Sequence, residues 1–148
     1  MQKGLYSASD KEFMCLTDKS KNASRLKELI SFIKLNGYQR IGIASCFSVY
    51  KYAQNLKNIL ESEGLTVEIV HCKESRLEAC DISDELKGVL CDPISQAQFL
   101  NSKKTELNIN FGLCLGHGIL FQKYSKAPTT TVLVKDACNQ HNVMENFF

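Results

Sequence analysis

The sequence predicts an α/β fold: a three-layer sandwich with a mostly parallel sheet of about four strands, in a Rossmann-like arrangement. Three observations lead to this fold class. Short apolar runs recur along the chain, amphipathic segments separate them, and glycine or proline lies at several junctions. Strands that alternate with helices at this spacing form βαβ units, and such units give a parallel sheet covered on both faces.

The first half of the chain predicts two helices and two strands. Residues 24–36 place apolar side chains on one helical stripe that ends at Gly37, and RIGIAS (40–45) is a buried strand. Residues 48–63 form the next helix, and TVEIVHC (66–72) forms the second strand. The inward-facing positions of the second helix are Val49, Tyr52, Leu56, Ile59 and Leu60.

The second half begins with a charged segment, residues 73–90, which we interpret as a loop with one short helix. In CDPISQAQFLN, Asp92 is suited to cap a helix and Pro93 to its first turn. LNINFGL (107–113) is the third strand, HGILFQKYS a short helix and TTTVLVK (129–135) the fourth strand. A C-terminal helix is expected from about His141.

Length and composition predict one soluble domain spanning residues 1–148, with residues 1–20 as a polar N-terminal arm. The formal net charge of +2 gives no electrostatic argument for nucleic acid or a membrane as partner. No apolar run approaches the ~18 residues of a spanning helix, and the N-terminus lacks the apolar core of a signal peptide. We therefore expect a cytoplasmic protein whose partner is a small-molecule or anionic ligand; its oligomeric state cannot be derived from the sequence.

Seven cysteines are present, an odd number in a chain without an export signal, which favours free thiols over a disulfide framework. In an open α/β sheet, ligands bind beyond the carboxyl ends of the strands. Four cysteines and one histidine are predicted at that edge, after strands or at helix starts: Cys46, Cys72, Cys91, Cys114 and His117. Cys15, Cys80 and Cys138 do not follow this rule.

Soft thiolates with an imidazole are suited to zinc, to iron or to an iron–sulfur cluster. We therefore take the five residues at this edge as candidate metal ligands. Helix N-termini also lower thiol pKa values, which favours the thiolate needed for metal binding or for nucleophilic attack. Gly112 and Gly116, which flank Cys114, are expected to let the backbone turn tightly there.

The chain resembles an uncharacterised prokaryotic family described as predicted metal-binding proteins. The resemblance covers about residues 22–145 and is carried by GYQRIGIASCFSVYKYAQNLKNILESEGLTVEIVHCK, by CDPISQAQFLN and by ELNINFGLCLGHGILFQKYSKAPTTTVLVKD. It implies a metal site but no reaction. The family cysteines match Cys46, Cys72, Cys91 and Cys114; further matches are His117, Lys135, Asp136, His141 and Asn142.

Two departures from this family pattern affect the expected site. The family typically begins with a cysteine-rich segment, whereas this chain has only Cys15 there. The aspartate that follows the motif histidine is replaced by Gly118, which removes an acid able to orient a ligand.

Three functions follow from these patterns. The first is a metal or iron–sulfur site; five candidates exceed a tetrahedral set, which leaves one thiol for catalysis or an open position. The second is a metal-free cysteine enzyme or redox protein that uses Cys114 or Cys46 with His117 as base. The third is a non-catalytic binding module. Lys135 and Asp136 are further candidates for an anionic substrate or proton transfer, although a solvated ion pair also explains them.

The missing nucleotide motifs exclude two other classes. IASCFS stands where a GxGxxG loop would follow the first strand, which argues against dinucleotide binding. The sequence also has no GxxxxGK[ST] motif, so a phosphate-loop nucleotide enzyme is excluded.

Overall fold

The structure is a computed structural model that describes residues 4–148, so the first three residues of the predicted arm lie outside it. The chain divides into two compact units, with the boundary between Tyr38 and Gln39. The first unit contains helices α1 (Ala8–Ser20) and α2 (Arg25–Asn36). The second unit contains the sheet and the other helices. The single-domain organisation stays a prediction.

Part of the predicted polar arm is helical. Ser7 and Asp10 form a reciprocal capping box at the start of α1, with N–H···O distances of 3.1 and 2.9 Å. The Phe13 and Phe32 rings stack, with centroids 5.6 Å apart, and this contact joins α1 to α2. The helix was missed because its signal is a cap and one aromatic contact, whereas the prediction relied on an apolar stripe.

The second unit confirms the predicted α/β class. Strands β1 (Arg40–Ser45), β2 (Thr66–His71), β3 (Leu107–Phe111) and β4 (Thr129–Leu133) form a sheet in the order β2-β1-β3-β4. All three strand pairs are parallel. The helices between them are α3 (Tyr50–Ser62), α4 (Pro93–Ser102) and α5 (Leu115–Tyr124).

The helices of this unit cover both faces of the sheet. The chain moves from β1 to β2 in one direction and then to β3 and β4 in the other. Because parallel crossovers are right-handed, α3 lies on one face, and α4 and α5 lie together on the opposite face. This is the predicted three-layer sandwich, with Ile41, Ile43 and Ile109 fully buried in its central strands.

The inward face of α3 differs from the prediction at two positions. Tyr52 and Ile59 are 62% and 40% exposed, whereas Ala53 is fully buried. A 3-10 turn, Phe47–Val49, precedes α3, and the buried face then runs through Val49, Ala53, Leu56 and Leu60. Tyr52 and Ile59 each lie one residue before a buried position, at the border of the stripe.

The C-terminal segment also differs, because it forms two 3-10 turns, Ala137–Asn139 and Val143–Phe147, in place of the predicted helix. Between them, Gln140 and His141 adopt left-handed φ values of 52° and 63°. Two consecutive left-handed residues prevent an α-helix from starting at His141. None of the helices within residues 4–148 has the length and apolar character needed to cross a bilayer.

Candidate functional site

Four cysteines lie at the carboxyl-terminal edge of the sheet, which we call the cysteine edge: Cys46, Cys72, Cys91 and Cys114. Cys46 directly follows β1, and its backbone N–H donates to the Phe111 carbonyl at the end of β3, at 3.3 Å. Its sulfur lies 3.1 Å from the Ser48 hydroxyl. Cys46 is 6% exposed, so its sulfur is held at the edge rather than free in solvent.

Lys135 joins two of these cysteines. It follows the end of β4 by two residues, and its Nζ donates to Cys46 Sγ at 3.2 Å and to Cys114 Sγ at 3.3 Å. Cys46 and Cys114 are therefore held around one ammonium group. We call these two cysteines the lysine-bridged thiols; Ser48 lies beside Cys46.

A tight turn after β3 positions Cys114. Gly112 adopts a left-handed φ of 74°, and a Cβ there would lie 2.8 Å from Val49 Cγ2, so only glycine fits. The Asn110 Oδ1 accepts from the Leu113 backbone N–H at 3.1 Å and closes the turn. Cys114 then serves as the N-cap residue of α5. The other predicted glycine, Gly116, has open space around it and no left-handed backbone, so the expectation of a tight turn there is wrong.

The other two cysteines form a second group, the contacting thiols. Cys72 follows β2, and Cys91 Sγ lies 3.3 Å from Cys72 Sγ. The Phe47 backbone N–H also donates to Cys72 Sγ, at 3.2 Å. The backbones are tied as well, because the Asp92 N–H donates to the Cys72 carbonyl at 2.7 Å.

A buried glutamine fixes α4 beneath the contacting thiols. Gln96 is 1% exposed, and its Nε2 donates to the Ser45 and Val70 carbonyls, both at 3.1 Å. Two carbonyl partners settle which side-chain atom is the nitrogen. These bonds tie α4 to the carboxyl ends of β1 and β2, so the start of α4, next to Cys91, has a fixed position.

The two groups of thiols differ in their protonation. Burial opposes the Cys46 thiolate, but hydrogen bonds from Ser48 and the Lys135 ammonium outweigh it and hold the pKa of Cys46 below its usual value. Its bond to Cys46 correspondingly raises the pKa of Lys135. Burial raises the pKa of the Cys72 thiol to about 12, and neighbouring Cys91 adds to that rise. At the cysteine edge, the surroundings of Cys46 thus favour the thiolate and those of Cys72 favour the protonated thiol.

Two predicted residues at this edge do not join the sulfurs. Within residues 4–148, no hydrogen bond or ion pair connects the His117 imidazole to a cysteine. The Asp136 carboxylate accepts from the Asn139 and Asn146 side-chain amides, at 3.0 and 2.7 Å, which lowers its pKa. Asp136 therefore organises the C-terminal turn. His141 belongs to the same turn, since its Nδ1 accepts from the Asp136 backbone N–H at 3.0 Å.

Two residues of the site were not identified from the sequence. Ser48 has a recognisable signal, because it lies two positions after a cysteine that ends a buried strand. His71 packs edge-on against Phe47 and Tyr50, with ring centroids 5.3 and 5.1 Å away, beside Cys72. The VHC sequence places His71 at the end of β2, but nothing in it predicts the aromatic contacts.

Two cavities open beside the cysteines. One, of about 280 Å³, lies between α5 and the end of β4 and is lined by Cys114, Lys135 and Asn110 with apolar walls. The Asn110 amide enters this space beside Gly118, where a Cβ would lie 2.8 Å from Asn110 Nδ2. The other, of about 220 Å³, is lined by Cys72, Asp92 and Gln96 among others. Both groups of thiols therefore border space for a small ligand.

Comparison with known proteins gives a family without a known activity. Residues 2–132 match the model of a family described as "Protein of unknown function (DUF1847)". The chain belongs to this family. This confirms the predicted uncharacterised family, whose description names no metal.

One curated protein is similar over most of the chain. The uncharacterised protein MJ0455 of Methanocaldococcus jannaschii is 46% identical over 129 residues, which cover 80% of this chain and 64% of the relative. The chain thus spans a little under two thirds of that relative's length. No solved structure matches the chain significantly.

Proposed function

We propose that this DUF1847 protein carries out cysteine-dependent chemistry, with the Cys46 thiolate as the nucleophile toward a small electrophilic substrate. The single observation that carries the proposal is the position of Lys135. Its ammonium lies within hydrogen-bonding distance of Cys46 and Cys114, and a cation beside a thiol favours the reactive thiolate.

The neighbours of Cys46 suit this role. The Ser48 hydroxyl is placed to donate to the thiolate, and the lowered pKa of Cys46 increases the thiolate fraction at neutral pH. Cys114 shares the ammonium with Cys46 and lines the 280 Å³ cavity, which offers space for the substrate. Within residues 4–148, His117 makes no hydrogen bond to these sulfurs, so the proposal relies on stabilisation of the thiolate by the Lys135 ammonium and not on the base that the sequence suggested.

A disulfide of low molecular weight is the simplest substrate for such a thiolate. The Cys46 sulfur attacks one sulfur of the substrate, a protein–substrate disulfide forms, and the substrate S–S bond breaks. The leaving thiolate carries away the electron pair of that bond and takes a proton from solvent. The Lys135 ammonium stabilises negative charge on sulfur before the attack.

The test is to react reduced protein with bis(2-hydroxyethyl) disulfide at pH 7 and to locate the adduct by mass spectrometry after trypsin digestion. Cys46 lies in the tryptic peptide 41–51, which holds no other cysteine. We expect the adduct first on this peptide and its loss in the Cys46→Ser variant. The matched control is Cys80→Ser, since Cys80 is exposed and lies outside the cysteine edge. Equal reaction of all cysteines contradicts the proposal.

A zinc or iron site, or an iron–sulfur cluster, is the second candidate. It is supported by four sulfurs at one edge and by the direct contact of Cys72 with Cys91. The fit is partial, because an ammonium lies between two of the five proposed ligands and, within residues 4–148, His117 makes no hydrogen bond to any of the others. Within residues 4–148, no three His, Cys, Asp or Glu side chains are arranged as a metal-binding group.

Anaerobic purification with analysis for zinc, iron and acid-labile sulfide separates the two candidates. The thiolate proposal expects less than one metal per chain and no visible absorption. Stoichiometric metal that is lost in both Cys72→Ser and Cys114→Ser variants supports the second candidate. If the purified protein contains no metal and Cys46 is not selectively reactive, only the non-catalytic binding module remains.

A further inference from the structure

We propose that the contacting thiols, Cys72 and Cys91, form a reversible disulfide when they give up two electrons to a low-molecular-weight disulfide. This pair is separate from the Cys46 nucleophile and gives the protein a second redox site. The observation that carries the proposal is the 3.3 Å contact between the two sulfurs in a protein whose cysteines are all free thiols.

The geometry of the backbone favours a disulfide at this place. The Asp92 N–H donates to the Cys72 carbonyl at 2.7 Å, so the two chain segments that carry the sulfurs are already neighbours. Disulfides need Cα atoms within about 7 Å and side chains that converge. The sulfur contact shows that the side chains converge, so a small side-chain rotation suffices to bring them to bonding distance.

The intervening segment is closed independently of the cysteines. Glu78 and Val89 form an isolated antiparallel bridge, and the Leu90 N–H donates to the Leu77 carbonyl at 2.8 Å. The Ala79 N–H also donates to the Gly88 carbonyl at 2.8 Å. Because residues 73–90 already return to their starting point, oxidation does not need to close a loop from an open conformation.

The two sulfurs have different access to solvent. Cys72 is 2% exposed, whereas Cys91 is partly exposed. Cys91 is therefore the thiol that meets the disulfide, and Cys72 is the thiol that resolves the adduct. Cys72 accepts a hydrogen bond from the Phe47 backbone N–H, which stabilises negative charge on its sulfur during that second step.

The chemistry balances with a disulfide as the oxidant. The Cys91 thiolate attacks the external disulfide, forms a mixed disulfide and releases one small thiolate. Cys72 loses its proton to solvent and attacks the Cys91 sulfur, which releases the second small thiolate. Overall, the two cysteines lose two electrons and two protons, and one external disulfide becomes two thiols.

The test uses the full chain, reduced without oxygen and incubated with glutathione disulfide. Free thiols are then blocked with N-ethylmaleimide in acid before digestion without reductant. Trypsin places Cys72 in peptide 58–73 and Cys91 in peptide 88–103, and neither contains a second cysteine. We expect a cross-linked species of these two peptides, two hydrogens lighter than their sum, which dithiothreitol returns to the two free peptides.

Three variants make the result specific. Cys46→Ser is expected to keep the cross-link within about twofold, so failure of the proposed nucleophile and failure of this pair are distinguishable. Cys80→Ser removes an exposed thiol of the same segment and is expected to change nothing. Cys91→Ser is expected to abolish the cross-link, and circular dichroism tests whether this variant folds. If the serine variant does not fold, Cys91→Ala is used instead. Stable glutathione on Cys91 without a cross-link, or a Cys46–Cys72 cross-link instead, overturns the proposal.

Discussion

The lysine-bridged thiols and the contacting thiols lie on the same edge of one parallel sheet, yet their surroundings differ. Cys46 and Cys114 share the ammonium of Lys135, whereas Cys72 has a backbone N–H and another thiol as its neighbours. One environment stabilises a thiolate and the other a protonated thiol. The difference shows that the fold brings cysteines together, while the residues just beyond each strand decide their chemistry.

Removal of the Lys135 ammonium is expected to reduce the difference between the two groups of thiols most strongly. In Lys135→Met, we expect alkylation of Cys46 by iodoacetamide at pH 7 to slow about tenfold, the effect of a rise of one unit in its pKa. Lys135→Arg keeps a cation and serves as the conservative variant, and Lys126→Met is the matched control. A Lys135→Met rate equal to that of the wild type removes the basis of the proposed nucleophile.

High pH is expected to destabilise the protein through Cys72. Because folding raises its pKa from 9.0 to about 12, the protonated thiol contributes stability that is complete below pH 9. This contribution falls as the pH rises from 9 toward 12, by at most about 1.4 kcal/mol per pH unit. Urea unfolding at pH 8 and 10 measures it, with Cys72→Ala as the comparison. A Cys72→Ala variant with the same pH dependence as the wild type contradicts the assignment.

Ser48 is the other hydrogen-bond partner of the Cys46 sulfur, and we expect its neutral hydroxyl to matter less than the Lys135 ammonium, since charged donors form stronger hydrogen bonds. Ser48→Ala removes a neutral hydrogen bond and leaves the ammonium, so we expect about a threefold slower alkylation of Cys46 at pH 7. Ser95→Ala is the control, because it alters a hydroxyl at the start of α4 that bonds Asp92 instead. If Ser48→Ala slows the alkylation of Cys46 more than Lys135→Met does, the hydroxyl and not the ammonium is the main stabiliser of the thiolate.

Asp136 is expected to have the smallest effect on either group of thiols. Its carboxylate is held by Asn139 and Asn146, so Asp136→Asn loosens the C-terminal turn and leaves the alkylation rate of Cys46 within about 1.5-fold of wild type. The same site-resolved mass spectrometry measures this rate. A tenfold change would place Asp136 in the reactive site after all.

The fold could be predicted further than the site. Apolar runs and the cap at Asp92 located all four strands and α4, since these signals are local. The sequence also predicted the edge of the sheet that carries Cys46, Cys72 and Cys114, because parallel strands all end at the same edge. The α1 helix did not follow, since its capping box and aromatic contact leave no apolar stripe.

Contacts between distant residues were beyond the sequence. Lys135 is 89 residues from Cys46, and its place after the fourth strand does not by itself indicate that its ammonium lies between two sulfurs. His117 is only three residues from Cys114, yet within residues 4–148 no hydrogen bond joins its ring to a sulfur. Spacing along the chain is a poor guide to contacts across several strand ends.

The most direct test of the thiolate assignment is the pH dependence of alkylation, followed separately on peptides 41–51 and 58–73 of the same reduced sample. The account predicts that the rate at Cys46 reaches half its maximum below the ordinary thiol pKa of 9.0, while Cys72 stays unmodified through the neutral range. Half-maximal reaction of Cys46 at or above that value, or parallel reaction of both cysteines, would contradict it.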